Sequence, residues 1–132
     1  MRTFAGIVGL GLGLASTGCQ VDMGPNMLLG SLTLEMREPE IVGALCGRPI
    51  DENEIGRRFS TLKVKDIKAR RELFGSHGHG TAHVDFQPEH GAACSGTVEY
   101  DFSQDSRIVK RYKRSVQHSN TFYYANVVVK HP

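Results

Sequence analysis

The sequence predicts a mainly β domain: a small antiparallel β-sandwich or barrel with at most one or two short helices. Three observations predict it. Residues 81–86 alternate apolar and polar, with Ala82, Val84 and Phe86 on one side. Residues 98–102 do the same, setting Val98, Tyr100 and Phe102 against Glu99 and Asp101. A period of two puts alternate side chains on opposite faces of a strand. Residues 121–130 are crowded with aromatic and β-branched side chains, which strands favour. Short strands separated by turn residues fit an antiparallel sheet that folds back on itself.

The first 18 residues stand apart from that domain. Arg2 is a positive start, residues 4–14 are an apolar run, and small residues follow as far as Gly18 and Cys19. This is the layout of a secretory signal peptide. The run is far shorter than the roughly 20 residues a membrane span needs. Gly6, Gly9, Gly11 and Gly13 argue against a buried helix, since each costs about 1 kcal/mol relative to alanine. Ending on Gly18-Cys19, the segment resembles a bacterial lipoprotein signal, with Ser16 where leucine is commoner. The resemblance covers this segment alone. It implies cleavage before Cys19, a diacylglyceryl thioether on that cysteine, and a place in the bacterial cell envelope. Gln20, where aspartate would favour inner-membrane retention, resembles the outer-membrane set and implies a domain facing the periplasm.

On this reading the chain divides into a signal peptide (1–18), a tether (19–27) and one β-rich globular domain (28–132). Removing the signal leaves 114 of the 132 residues, an ordinary size for one domain. It leaves 15 Lys and Arg against 14 Asp and Glu, so no overall field points to nucleic acid. With Cys19 taken by lipid, Cys46 and Cys94 remain as an even pair in an oxidising compartment. A disulfide between them is expected; two buried free thiols are the alternative.

Along the domain, residues 20–26 read as a polar tether containing Gly24-Pro25-Asn26. Residues 31–37 alternate, predicting a strand with Leu32, Leu34 and Met36 inward and Pro39 as its stop. Residues 40–46 suit a short buried strand, 47–49 a turn and 51–55 one helical turn. Residues 59–64 look extended. Residues 66–74 favour a short helix capped by Asp66 and stopped by Gly75. The competing strand would turn Ile67, Ala69, Arg71 and Leu73 to one face, putting a charge inward. Residues 76–80 read as a Gly/His loop and 87–95 as a turn region. Residues 103–106 form a turn by composition, which makes 108–116 the returning strand.

Four groups could carry chemistry. His77, His79, His83 and His90 are candidate ligands for zinc or copper, although His79 and His83 would lie about 13 Å apart on one strand. Lys110, Arg111, Lys113 and Arg114, with Arg107, form a basic run suited to anionic partners. Its structural alternative pairs them across a hairpin with Glu99 and Asp101. No Gly-x-Ser-x-Gly segment marks a hydrolase nucleophile. Among Phe122, Tyr123 and Tyr124, the middle ring faces away from the other two and could meet a partner. The expected function is a non-catalytic envelope lipoprotein, membrane-held through Cys19, binding another envelope protein or an anionic surface polymer. No cofactor is expected. A periplasmic zinc or copper lipoprotein and a small hydrolase are the alternatives.

Overall fold

The computed structural model describes residues 20–112 and 115–131, with side chains outside 106–120. Five strands form one antiparallel sheet in the order β1-β2-β3-β4-β5: Gln20–Asp22, Lys63–Glu72, His77–Phe86, Cys94–Tyr112 and Ser115–Lys130. Between β1 and β2 come three α-helices, α1 (Pro25–Glu35), α2 (Pro39–Cys46) and α3 (Glu52–Arg57), then a 3-10 turn at Phe59–Thr61. The mainly β, antiparallel expectation holds. The sheet does not close into a barrel; α1 packs on β2, and α2 on β4 and β5.

Several local expectations are corrected, each by an identifiable competing signal. Residues 20–22 are β1, paired with 70–72, so the expected tether is partly sheet. The expected strand over 31–37 is the second half of α1. Its discriminating residue is Leu34, which alternation turns inward but which is 56% exposed. Leu28, Leu32 and Met36 are buried instead, spaced by four as on one face of a helix. The expected strand over 40–46 is α2. Pro39 opens it, because the first helical position needs no N–H. Gly47, at φ 72°, closes it in the left-handed region. The helical turn near 51–55 is present as α3, with the Asp51 carboxylate accepting from the Asn53 N–H at 3.2 Å.

The favoured helix over 66–74 is the body of β2. Pairing with β3 along its length outweighs weak helix propensity. Asp66 is an extra residue there, a bulge at φ 53°. The inward charge is present: Arg71 is half-buried, donates to the Gly75 carbonyl at 3.0 Å, and keeps Nε unpartnered among the described residues. Residues 103–106 are mid-strand rather than a turn; they pair with 120–123. The hairpin ends later, with Tyr112 opposite Ser115, so 108–116 straddle its tip instead of returning.

The expected loop over 76–80 is the start of β3. Its inward residues are Gly78, Gly80, Ala82, Val84 and Phe86, growing along the strand. Opposite them on β4 stand Phe102, Tyr100, Val98, Gly96 and Cys94. Large faces small at each end of the ladder, so the two strands interlock at a constant thickness. Tyr100 and Phe102 lie over Gly80 and Gly78, and the rings of Tyr124 and Phe122 meet them edge-on. Cys94 opens β4 and Cys46 ends α2. Their sulfurs lie at disulfide distance with Cα atoms 4.9 Å apart, joining helical layer to sheet as expected.

The Tyr100 hydroxyl is fully buried and has no hydrogen-bond partner among the described residues. Burial pushes its pKa up. Tyr100→Phe removes an unpaired polar group and keeps the ring, so thermal stability should hold or rise. A loss above about 1 kcal/mol in denaturant melts would instead mean that the hydroxyl holds a buried water.

Candidate functional site

The face of the sheet away from the helices is polar along β2, β3 and β4, while β5 adds the exposed Tyr123 and Val128 to it. Strand alternation sends His77, His79, Thr81, His83 and Asp85 of β3 to that face, opposite Ser103, Asp101, Glu99, Thr97 and Ser95 of β4. Lys63, Lys65, Lys68 and Arg70 line it along β2. This explains the His-Gly-His-Gly segment: the glycines fill the inside and the histidines the outside.

Each histidine of β3 has its own carboxylate. His77 Nδ1 is 3.7 Å from Glu72, and His79 Nδ1 is 2.8 Å from Asp101. His83 Nε2 is 3.0 Å from Asp85. His90 lies in the loop after β3, where its carbonyl accepts from Arg48 at 2.8 Å. The four candidate metal ligands are therefore not brought together, and no three His, Cys, Asp or Glu side chains among the described residues could hold one ion.

Two clusters stand out. In the first, Asp101 accepts from the Asn126 amide at 2.8 Å as well as facing His79. Asn126 can reach it because β5 carries one extra residue there, with Asn126 at φ 54°. Asparagine tolerates that left-handed conformation better than most side chains. These groups line a cleft of about 560 Å³, with Gln20, Ser103 and Tyr123 on its walls. Tyr123 is 54% exposed while Phe122 and Tyr124 pack on the core, the division expected from strand alternation.

The second cluster is Ser95, His83, Asp85 and Lys65. The Ser95 hydroxyl donates to Asp85 at 2.7 Å and lies 2.8 Å from His83 Nε2. The Lys65 ammonium pairs with the other Asp85 oxygen at 3.2 Å. The residue types are those of an acyl-transfer triad, but the wiring is different. In a triad the serine and the carboxylate take opposite nitrogens of the imidazole. Here both lie on Nε2, and the serine proton already points at the carboxylate. Ser95 entered this cluster through register, which no local spacing in the sequence discloses; Asn126 entered its own through a bulge.

Both aspartates are held below the usual range. For Asp101 the Asn126 amide is the main cause and His79 the next; for Asp85 it is the Ser95 hydroxyl, then Lys65 and His83. A carboxylate with a lowered folded pKa stabilises fully above its unfolded value, 3.8 for aspartate. That contribution is lost as pH falls through the lower folded value. Melting temperature should therefore drop on acidification below about pH 4, and Asp85→Asn with Asp101→Asn should flatten that limb. An unchanged acid limb in the double variant would contradict this origin. Both groups are partly exposed to solvent, which screens them, so the effect is modest.

The basic run has Lys110 and Arg111 on β4, opposite Gln117 and Val116; Lys113 and Arg114 lie outside the described residues, as does Cys19. The proposed pairing with Glu99 and Asp101 is overturned, since those acids sit earlier on the same strand. Glu99 instead approaches Lys130 at 3.9 Å. Comparison with protein-family models, with curated proteins and with solved structures finds no match.

Proposed function

We propose that this chain is an exported lipoprotein that binds without catalysis. Cys19 holds it to the outer membrane facing the periplasm, and the cleft around Asp101 takes a hydroxyl-rich segment of an envelope polymer. The observation that carries this reading is the cleft itself: about 560 Å³ on the outer face of the sheet, where charged Asp101, the Asn126 amide, Ser103 and the exposed Tyr123 ring converge. A few fixed polar groups beside an aromatic surface are the ordinary make-up of a small-ligand site. Sugar hydroxyls would pair with the carboxylate and amide, and the C–H face of the sugar would lie on Tyr123. Asp101 is already oriented by Asn126, which lowers the cost of ordering it on binding.

Hydrolysis fits less well, because Ser95 and Asp85 share one nitrogen of His83. Metal binding fits less well because each outward histidine is engaged with a different acid.

Binding of the processed protein to purified envelope polysaccharides, measured by calorimetry, tests the reading. Asp101→Asn with Tyr123→Ala should weaken binding at least tenfold with little change in melting temperature, since removing one charged hydrogen bond costs about 1.5 to 3 kcal/mol. Wild-type protein that binds none of these polymers, or a double variant that binds like wild type, would refute it. Cys19→Ala should release the protein from the membrane or block its processing. Unmodified Cys19 in the wild type, by mass spectrometry, would remove the anchor.

A further inference from the structure

Three features lie together at one end of the sheet, next to the cleft. The first is β1. Gln20 is opposite Glu72 in an antiparallel pair, so the chain enters the sheet where β2 runs out into the 73–76 turn. The second is that turn. Its tip carries Leu73, 43% exposed, and Phe74, 91% exposed. Turn tips ordinarily carry Gly, Asn, Asp or Ser. A phenylalanine that far out in water gives up most of the burial free energy its ring could gain.

The third is a ribbon. Ser103, opposite His77, is the last residue of β4 with β3 beside it. Beyond it, among the described residues, β4 and β5 form ladder pairs with each other alone, from Gln104 opposite Phe122 to Tyr112 opposite Ser115, a length of roughly 25 to 30 Å. The Gln104 N–H donates to the Ser76 carbonyl at 2.7 Å, which ties the ribbon's base to the turn. Among its described residues it holds three cations, Arg107, Lys110 and Arg111, and one acid, Asp105, so this is a basic element. Arg107, Lys110 and Arg111 occupy register positions along it.

We infer that this end of the sheet is a membrane-docking surface. Phe74 and Leu73 enter the interfacial layer of the bilayer, and the cationic ribbon lies along anionic phospholipid headgroups. An apolar tip beside a basic element is the composition of interfacial membrane binders. Each Lys or Arg near such a surface strengthens attachment roughly fivefold. The inference rests on the lipoprotein reading only for orientation: a lipid on Cys19, next to Gln20, would bring the bilayer to this same end. The polar cleft opens close by, bounded by Gln20 and His77, so docking would hold it near the headgroup layer.

The chain contains no tryptophan. Phe74→Trp therefore places a single fluorescent probe at the tip without disturbing packing. The processed protein is mixed with vesicles of phosphatidylcholine, with or without about one third phosphatidylglycerol. With anionic vesicles, the emission of this probe should shift to the blue and be quenched by brominated lipid. Both effects should weaken in about 1 M salt, where screening is near-complete beyond about 3 Å. Lys110→Glu with Arg111→Glu should lower vesicle partitioning at least twentyfold.

If Cys19 proves unlipidated, protein added from solution should still give the shift, so the anchor and the docking surface fail separately. Emission that is the same in detergent, neutral vesicles and anionic vesicles overturns the proposal. So does binding to soluble polyphosphate with no blue shift at vesicles, which would assign the ribbon to a soluble polyanion. A blue shift that tracks protein concentration without lipid also overturns it and assigns the tip to a second copy of the chain.

Discussion

Breaking the link between Cys46 and Cys94 is expected to lower stability by about 4 kcal/mol, the chain-entropy value for the 48-residue separation it closes. In a domain of about 100 residues that corresponds to a fall in melting temperature on the order of 20 °C. The size of the effect follows from what the link spans. It joins the end of α2 to the first residue of β4, and the enclosed segment contains α3, β2 and β3. Without it, the unfolded chain regains the freedom of that whole segment, while the helical layer loses its covalent hold on the sheet. Cys94 is 7% exposed, so alanine is the proper replacement; serine would bury a hydroxyl. Circular dichroism melts of the Cys46→Ala, Cys94→Ala variant and of reduced wild type should agree. Melts unchanged by reductant would contradict the expectation. So would quantitative thiol labelling of both cysteines in unreduced, denatured protein.

The sequence disclosed the sheet better than the helices, and the reason is physical. Strands β3 and β4 bury one face against the helices and wet the other, so their alternation is clean: Ala82, Val84 and Phe86 inward, Val98, Tyr100 and Phe102 inward. Helix α1 misled because residues 31–37 satisfy both periods, sharing Leu32 and Met36. Only Leu34 separates them, and an exposed leucine is ordinary on a protein surface. In α2, Pro39 reads as a stop when it is a start. The His-Gly-His-Gly segment misled because glycine signals loops. Here it is strand, since the space a side chain would fill belongs to rings from the neighbouring strand.

The candidate site was legible only in part. His77, His79, His83 and Tyr123 were visible as residue types. Their partners Asp101, Asn126 and Ser95 depend on register and on one bulge, which pairing along the whole sheet decides. The basic run was visible too, but its place on a ribbon whose base is tied to the 73–76 turn depends on where the β4–β5 hairpin ends.

Gly80→Ala is expected to cost about 2 kcal/mol or more, although alanine is ordinarily the better strand residue by about 0.5 to 1 kcal/mol. A Cβ at position 80 would sit 2.5 Å from the Tyr100 hydroxyl oxygen and 2.7 Å from the Lys68 carbonyl oxygen. The first obstacle is a side chain, but one with nowhere to go. Tyr100 is fully buried, and Tyr124, packed edge-on against it, is tied to Ser31 by a hydrogen bond of 2.7 Å. The second obstacle is backbone of the adjoining strand and cannot move without opening the β2–β3 ladder. Gly78 meets the same pairing of obstacles, Phe102 above and the Arg70 carbonyl beside it. Gly56 in α3 is the control: its Cβ would meet nothing within 4 Å, so Gly56→Ala should stabilise by about 1 kcal/mol. Adding Tyr100→Phe to Gly80→Ala should recover part of the loss, because it clears the hydroxyl and leaves the carbonyl and the ring carbon Cζ, both at 2.7 Å; the double-mutant cycle measures that share. Loss of strand pairing at position 80 should also reach the outer face, where His79 is held against Asp101, and so weaken the cleft along with the fold. Urea melts in which Gly80→Ala matches wild type would mean that the Tyr100 ring does not rest on that glycine, and the interlocking of β3 with β4 would have to be abandoned.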